Sequence, residues 1–258
     1  RNFPGVEWEL GGDSCAVKEI QFPGRRDLGG SLHPRIAELT ALEYLDLRDT
    51  NVSGSLDVLA NNTKLRNLQL RHTRVTGRLE DLPKAKRLDS LDLTGTEVTG
   101  DLAALANATE LEYLRLANTA VSGELKSLEK LTGLEKLDLS ETAVSGELKS
   151  LVKLTGLMKL DLSNTAVSGE LQSLAKMKWL KELDLSNTAV SGELQSLTKL
   201  ERLERLDLSN TAVSAILDKA GEVGEAGVGQ PESGWRRGSD GRMVKDQTRG
   251  PLRHRGGV

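Results

Sequence analysis

Aromatic residues are scarce in this 258-residue chain: three Trp, two Tyr and two Phe, or 3% of the total. A single rounded core of that size would draw on far more aromatic bulk. A thin core of Leu and Val fits the composition better. One cysteine, Cys15, leaves no partner for an intrachain disulfide, which disfavours a disulfide-stapled module. No run of about 18 apolar residues occurs, so no helical membrane span is expected in this segment. No signal-peptide pattern opens the sequence, which starts at Arg1 rather than Met. Charge of one sign does not dominate: 35 basic and 38 acidic residues give −3. That balance carries no expectation of nucleic-acid binding. It is uneven, however. Residues 234–258 hold seven Arg or Lys against two Asp, which leaves −8 for residues 1–233.

Catalytic patterns are missing as well. His33, His72 and His254 stand far apart in unrelated contexts. No H-E-x-x-H, C-x-x-C, G-x-S-x-G, phosphate loop or protein-kinase signature occurs. No catalytic, cofactor-binding or metal-ligating residue is assigned, and no enzyme activity is expected of this segment.

What the sequence does contain is a repeat. Leu42, Leu65, Leu88, Leu111, Leu134, Leu157, Leu180 and Leu203 follow one another at 23-residue intervals. Each opens the pattern L-x-x-L-x-L-x-x-T-x-V-[ST]-G-x-L-x-x-L. In the fifth copy this is Leu134, Leu137, Leu139, Thr142, Val144, Gly146, Leu148 and Leu151. Leu137 and Leu139 are two apart, on one face of a strand. Val144, Gly146 and Leu148 alternate again, which predicts a second short strand. Leu148, Leu151 and Leu154 recur every third residue, as a 3₁₀ turn requires. Seven inward apolar positions in one coil cannot offset the entropy of ordering 23 residues. Stacked coils can, because each covers the open core of its neighbour.

With these residues in hand, the pattern resembles leucine-rich repeat proteins, and among them the plant-receptor-like subtype with its G-x-[IL] step. The resemblance runs from Val17 to Val223. It implies an α/β-type solenoid, mostly β with short 3₁₀ or helical turns: a curved, right-handed leucine-rich repeat solenoid with a parallel sheet on its concave face. The chain departs from the family at the ninth repeat position, where Thr replaces Asn in all eight copies, and in lacking the Pro after the G-x-[IL] step and the paired-cysteine N-terminal cap. Trp8 and Cys15 only faintly resemble that cap. The Thr hydroxyl is expected to bond to backbone at the turn leaving the strand. The recurring Gly is expected to permit a bend or a close contact between coils.

The division that follows is residues 1–16 as an N-terminal capping flank, with Phe3, Val6 and Trp8 as candidate cover. Residues 17–41 form a degenerate first repeat, residues 42–223 the eight 23-residue repeats, and residues 224–258 a disordered Gly/Arg-rich tail.

Three features bear on function. The fifth repeat position reads Asp46, Asp92, Asp138, Asp161, Asp184 and Asp207, interrupted by Gln69 and Arg115. It is either a cation- or basic-peptide-binding row or simple consensus, with Lys136, Lys159, Lys181 and Arg205 on the same face to offset it. Three N-glycosylation sequons occur, at Asn51, Asn61 and Asn107; they matter only if the chain is exported. Finally, the outward positions vary in the first four copies and are monotonous in the last four. Tyr44, Arg48, Asp49, Asn67, Gln69, Arg71, His72, Tyr113 and Arg115 are therefore the candidate partner-binding residues. Tyr and Arg are the types most enriched at binding hot spots. Parallel stacking would put Tyr44 and Tyr113 three strands apart, about 14–15 Å.

The function implied is non-catalytic binding of a protein or peptide on the concave face by a monomer, without cofactor, as the recognition ectodomain of a receptor-like protein. An intracellular scaffold or regulatory subunit is the alternative. A fragment of a receptor-like kinase, with its catalytic domain elsewhere, is a third reading.

Overall fold

The computed structural model describes residues 6–11, 14–83, 87–214, 235–237 and 243–245, with side chains from 16 onward within the first 214 residues. Each 23-residue copy is one coil. In the fourth, a ladder strand Tyr113–Arg115 is followed by a turn. A second strand, Ala120–Glu124, comes next, then a 3₁₀ helix Leu125–Leu128 that leads back to the ladder. The same order recurs in the flanking copies.

Stacking is in strict register. Tyr44 pairs with Asn67, Asn67 with Ser90, Ser90 with Tyr113, and Tyr113 with Lys136. The series continues through Lys159, Glu182 and Arg205. One repeat is thus one rung. The rung residue of the seventh copy is Glu182, one place after the Lys181 expected on that face. Lys181 sits at the residue before the strand, because the strand spans repeat positions 3–5 and Lys181 is at position 2.

The second strands form their own parallel sheets, three-stranded from Gly29–Ser31 to Arg74–Thr76 and six-stranded from Thr99–Asp101 to Ala212–Ser214. A single bridge, Arg78 to Thr99, joins the two. The split falls at the second copy, whose 3₁₀ helix is shortened to Leu79–Asp81 ahead of Pro83.

All seven inward positions of the fifth copy are fully buried: Leu134, Leu137, Leu139, Val144, Leu148, Leu151 and Leu154. They belong to one continuous apolar cluster running from Val17 to Leu206. The 21st position is the exception along the stack. It is Leu131, Leu154, Met177 and Leu200 in later copies, but Asn62 in the first and Ala108 in the third. Asn62 is fully buried; its amide donates to the carbonyls of Ile36 and Leu39 in the coil before, and its own carbonyl oxygen has no partner. Around Ala108 an open cleft of about 720 Å³ remains, lined by Leu79, Leu82, Pro83, Leu88 and Leu105.

Thr at the ninth position acts within its own turn. In every copy its hydroxyl donates to the carbonyl three residues back, as Thr142 does to Leu139 at 2.6 Å. This local bond replaces a rung-to-rung ladder at that position.

Both edges of the long sheet carry antiparallel strands, which occupy backbone groups that an open edge would leave bare. At the N-terminal edge Val6–Gly11, holding Val6 and Trp8, pairs with Ser14–Gln21. Phe3 lies outside the described residues. At the other edge, the expectation of a chain without structure over 224–258 meets a different arrangement in the six residues described there. Met243–Lys245 pairs antiparallel with the last rung, Arg205–Asp207, and Trp235–Arg237 pairs in turn with Met243–Lys245. The other residues of that segment lie outside the described ones.

Candidate functional site

The ladder strands place repeat positions 3 and 5 on the face opposite the Leu at position 4. The nine expected partner-binding residues fall into three groups on this framework. Tyr44, Asn67, Tyr113 and Arg115 are on the ladder itself, half-buried by their neighbours along the sheet. Tyr44 and Tyr113 occupy the same register position, three rungs apart. The Tyr113 hydroxyl donates to Glu135 Oε2 at 3.0 Å, and the Lys136 ammonium stands 5.5 Å from its ring centroid. That hydrogen bond to a carboxylate raises the Tyr113 phenol above its ordinary range. Arg115 reaches Asp92 Oδ2 at 3.6 Å. It lies in register between Asp92 and Asp138, so one cation interrupts the row of carboxylates.

A second group gathers at the exit turn. Arg48 is paired with buried Asp46 at 3.3 Å. Asp49 accepts from His72 Nδ1 at 2.9 Å and from Arg71 at 3.5 Å. The hydrogen bond from His72, more than the nearby Arg71 charge, holds the Asp49 carboxyl below its usual range. Arg48, Arg71 and His72 keep exposed side chains.

Gln69 departs from expectation. It is buried, and its amide donates to Asn67 Oδ1 at 2.8 Å and to Ser90 Oγ at 2.9 Å. It links two rungs, and its amide nitrogen is already committed to them.

The Asp column is also absorbed locally. Asp138, Asp161, Asp184 and Asp207 each accept, on one oxygen, both the backbone N–H and the hydroxyl of the Ser two residues on, the hydroxyl at 2.7 Å. Among the described residues no three His, Cys, Asp or Glu side chains come together as a metal site needs. The L-D-L-S motif therefore shapes its own strand end.

The row still stores charge. Asp161 lies between Asp138 and Asp184. Burial foremost, then the Asp138 charge, pushes its carboxyl up to about 6 from 3.8. Above pH 6 both the folded and unfolded chains carry this charge, and the folded chain bears the penalty. Between about pH 6 and 4 the folded chain takes up the proton first, so this group's penalty fades as pH falls. Asp161→Asn should then raise the urea midpoint at pH 7.5 and change it little at pH 4.5. Equal gains at both pH values would exclude this origin.

Sequence reasoning named Asp49 and His72 as outward residues but missed the backbone conformation of the eighth repeat position. Asp49, His72, Asn118, Glu141, Asn164, Asn187 and Asn210 all have φ of +51° to +58°. The signal was there: four of the eight copies carry Asn, which with Asp and Gly best tolerates this left-handed conformation. Asn210 donates to Asn187 at 2.7 Å, so a rung-to-rung amide contact forms here, one place before the Thr.

No family model matches the sequence. No curated protein matches it either. Solved structures do. The ectodomain of the Arabidopsis thaliana membrane receptor kinase GASSHO1/SCHENGEN3, in complex with CASPARIAN STRIP INTEGRITY FACTOR 2, superposes with a TM-score of 0.65 at 28% identity, over 72% of this chain and 23% of that one. The Arabidopsis receptor kinase HAESA, with the peptide hormone IDA and co-receptor SERK1, gives 0.64 at 29% identity, over 77% and 38%. A Leptospira interrogans leucine-rich repeat protein shares the fold at 21% identity, with a TM-score of 0.56 over 71% and 53%. The chain spans well under half the length of the two receptor ectodomains. By period, consensus and superposition, the chain has the leucine-rich repeat solenoid fold, with repeats similar to those of plant receptor ectodomains.

Proposed function

We propose that this chain is a recognition ectodomain, or part of one, that binds an extended peptide or a protein segment along the outer face of the long sheet. The observation that carries the reading is the ladder: eight registered rungs plus Ser14–Gln21, with the chain's only two tyrosines at one position, three rungs apart. Eight gaps of about 4.8 Å give about 38 Å, the span of about 11 extended residues. Two of the structural neighbours hold the Arabidopsis receptor kinase HAESA in complex with the peptide hormone IDA. Among the described residues no three His, Cys, Asp or Glu side chains gather on this face, and its hydrogen-bonded polar side chains suit binding. Arg115 and Tyr113 supply a charged fork and a rigid aromatic side by side, the chemistry that concentrates binding energy. The lone cysteine would equally suit an intracellular scaffold, which would use the same face; locating the native chain inside or outside the cell separates the two.

The binding reading is tested with a displayed library of random peptides selected on the whole chain. For the selected binders, Tyr113→Ala and Arg115→Ala should each cost at least about 1 kcal/mol. Lys159→Ala and Asp161→Ala, at the same ladder positions two rungs on, should cost little. The reverse pattern would move the site to the C-terminal repeats.

A further inference from the structure

We propose that Asn61 and Asn107 are N-glycan acceptors and that Asn51 is not. The three sequons are equivalent in sequence but not in place. Asn61 and Asn107 occupy the same point of the coil, repeat position 20, directly after the capping residues Ala60 and Ala106 of their 3₁₀ helices. Both are exposed, and so are Thr63 and Thr109 two residues on. Neither side-chain amide makes a hydrogen bond to another described residue. Later copies place Lys130, Lys153, Lys176 and Lys199 at this position, all exposed, so the position accepts a long solvated group; Asn107 and Thr109 also stand at the rim of the open cleft around Ala108. The two acceptors are two coils apart, about 10 Å, and neither belongs to the ladder.

Asn51 is exposed too, but it stands at the start of the strand Asn51–Ser55, which has a neighbouring strand on each side. Its amide nitrogen donates to the Arg26 carbonyl of the preceding coil. Its hydroxyl partner, Ser53, donates to Gly30 at 3.2 Å and is half-buried. Both ends of this sequon are committed to coil stacking. A sugar on the Asn51 nitrogen would intrude on the contact with Arg26, and chains so modified would be selected against during folding.

The step is transfer of an oligosaccharide from a lipid-linked diphosphate donor by an oligosaccharyltransferase. The amide nitrogen forms a bond to C1 of the first sugar as the C1–O bond to the diphosphate breaks. The nitrogen gives up one proton, and the lipid diphosphate leaves. The result is a bulky, solubilising group at each acceptor.

This rests on the ectodomain reading, since the donor lies on the secretory path. The test separates the two. The full chain is expressed behind a secretion leader, and glycan sites are mapped by mass spectrometry after enzymatic release in heavy-oxygen water. The secreted pool is used, or the membrane-enclosed pool if little is secreted. Asn61→Gln and Asn107→Gln should each remove one glycan, and Asn51→Gln none. Sugar on Asn51 in the folded protein would overturn the proposal. Bare Asn61 and Asn107 beside a co-expressed glycoprotein that is modified would overturn it too. A native chain found in the cytosol would instead sink the ectodomain reading, with acceptor competence still read from the leader-directed chain.

Discussion

Leu139→Ala should lower the stability of the solenoid by about 2–5 kcal/mol, the usual cost of truncating a buried Leu whose cavity cannot collapse. Leu139 is fully buried, at the sixth repeat position, with Leu116 and Leu162 at the same place in the flanking coils. The backbone on either side is pinned. The Leu139 N–H donates to the Asp161 backbone carbonyl at 2.9 Å, and its own carbonyl accepts the Thr142 hydroxyl. The surrounding leucines therefore have little freedom to move into the gap. In a stack whose stability is the sum of coil and nearest-neighbour terms, the loss is felt at two interfaces. Ser140→Ala, one residue on, removes a half-buried hydroxyl bonded to Asp138, worth about 1 kcal/mol or less. Urea midpoints for the two variants settle the matter: equal shifts would mean the strand register is wrong.

That register was legible in the sequence because a 23-residue period repeated eight times leaves one alignment of coils. Every inward position it assigned in the fifth copy is buried. Features that depend on what the adjacent rung carries were not legible. Gln69 reads as an outward residue, yet it is buried because Ser90 beside it is small and can accept its amide. Asp49 and His72 read only as outward residues, and the structure puts them past the strand in a left-handed turn, bonded to each other. The repeat consensus averages over such neighbours and so conceals them. The edges were illegible for a different reason. The pairing of Leu206 with Met243 spans a stretch with no period and almost no apolar pattern, so nothing local announces it. The Asp column could be read two ways from the sequence, as a ligand row or as plain consensus, and the structure shows one oxygen of each of its last four carboxylates bonded to its own Ser.

Gly123→Ala should cost about 2–3 kcal/mol or more, through backbone strain and a clash together. The thirteenth repeat position has φ between +104° and +111° from Gly54 to Gly192. This lies well beyond the left-handed well near +55° that the eighth position uses, so a side chain there is strained whatever the space around it. Space is short as well. A Cβ on Gly123 would meet Asp101 Oδ1 at 2.5 Å and the Leu102 backbone nitrogen at 2.9 Å. Asp101 cannot swing aside freely, because the same oxygen caps the 3₁₀ helix Leu102–Leu105 by accepting from the Ala103 N–H at 2.7 Å. The Leu102 nitrogen is backbone at the start of that helix and has still less room to give. Gly133 supplies the control within the next turn. It has ordinary dihedral angles, is exposed, and a Cβ there would come no nearer than 3.7 Å to any atom. Gly133→Ala should be neutral or stabilise by up to about 1 kcal/mol, by reducing the freedom of the unfolded chain. Chemical denaturation of the two single variants tests the account. A Gly123→Ala variant as mild as Gly133→Ala would show that the coils are not packed at this distance and that the column of glycines has some other cause.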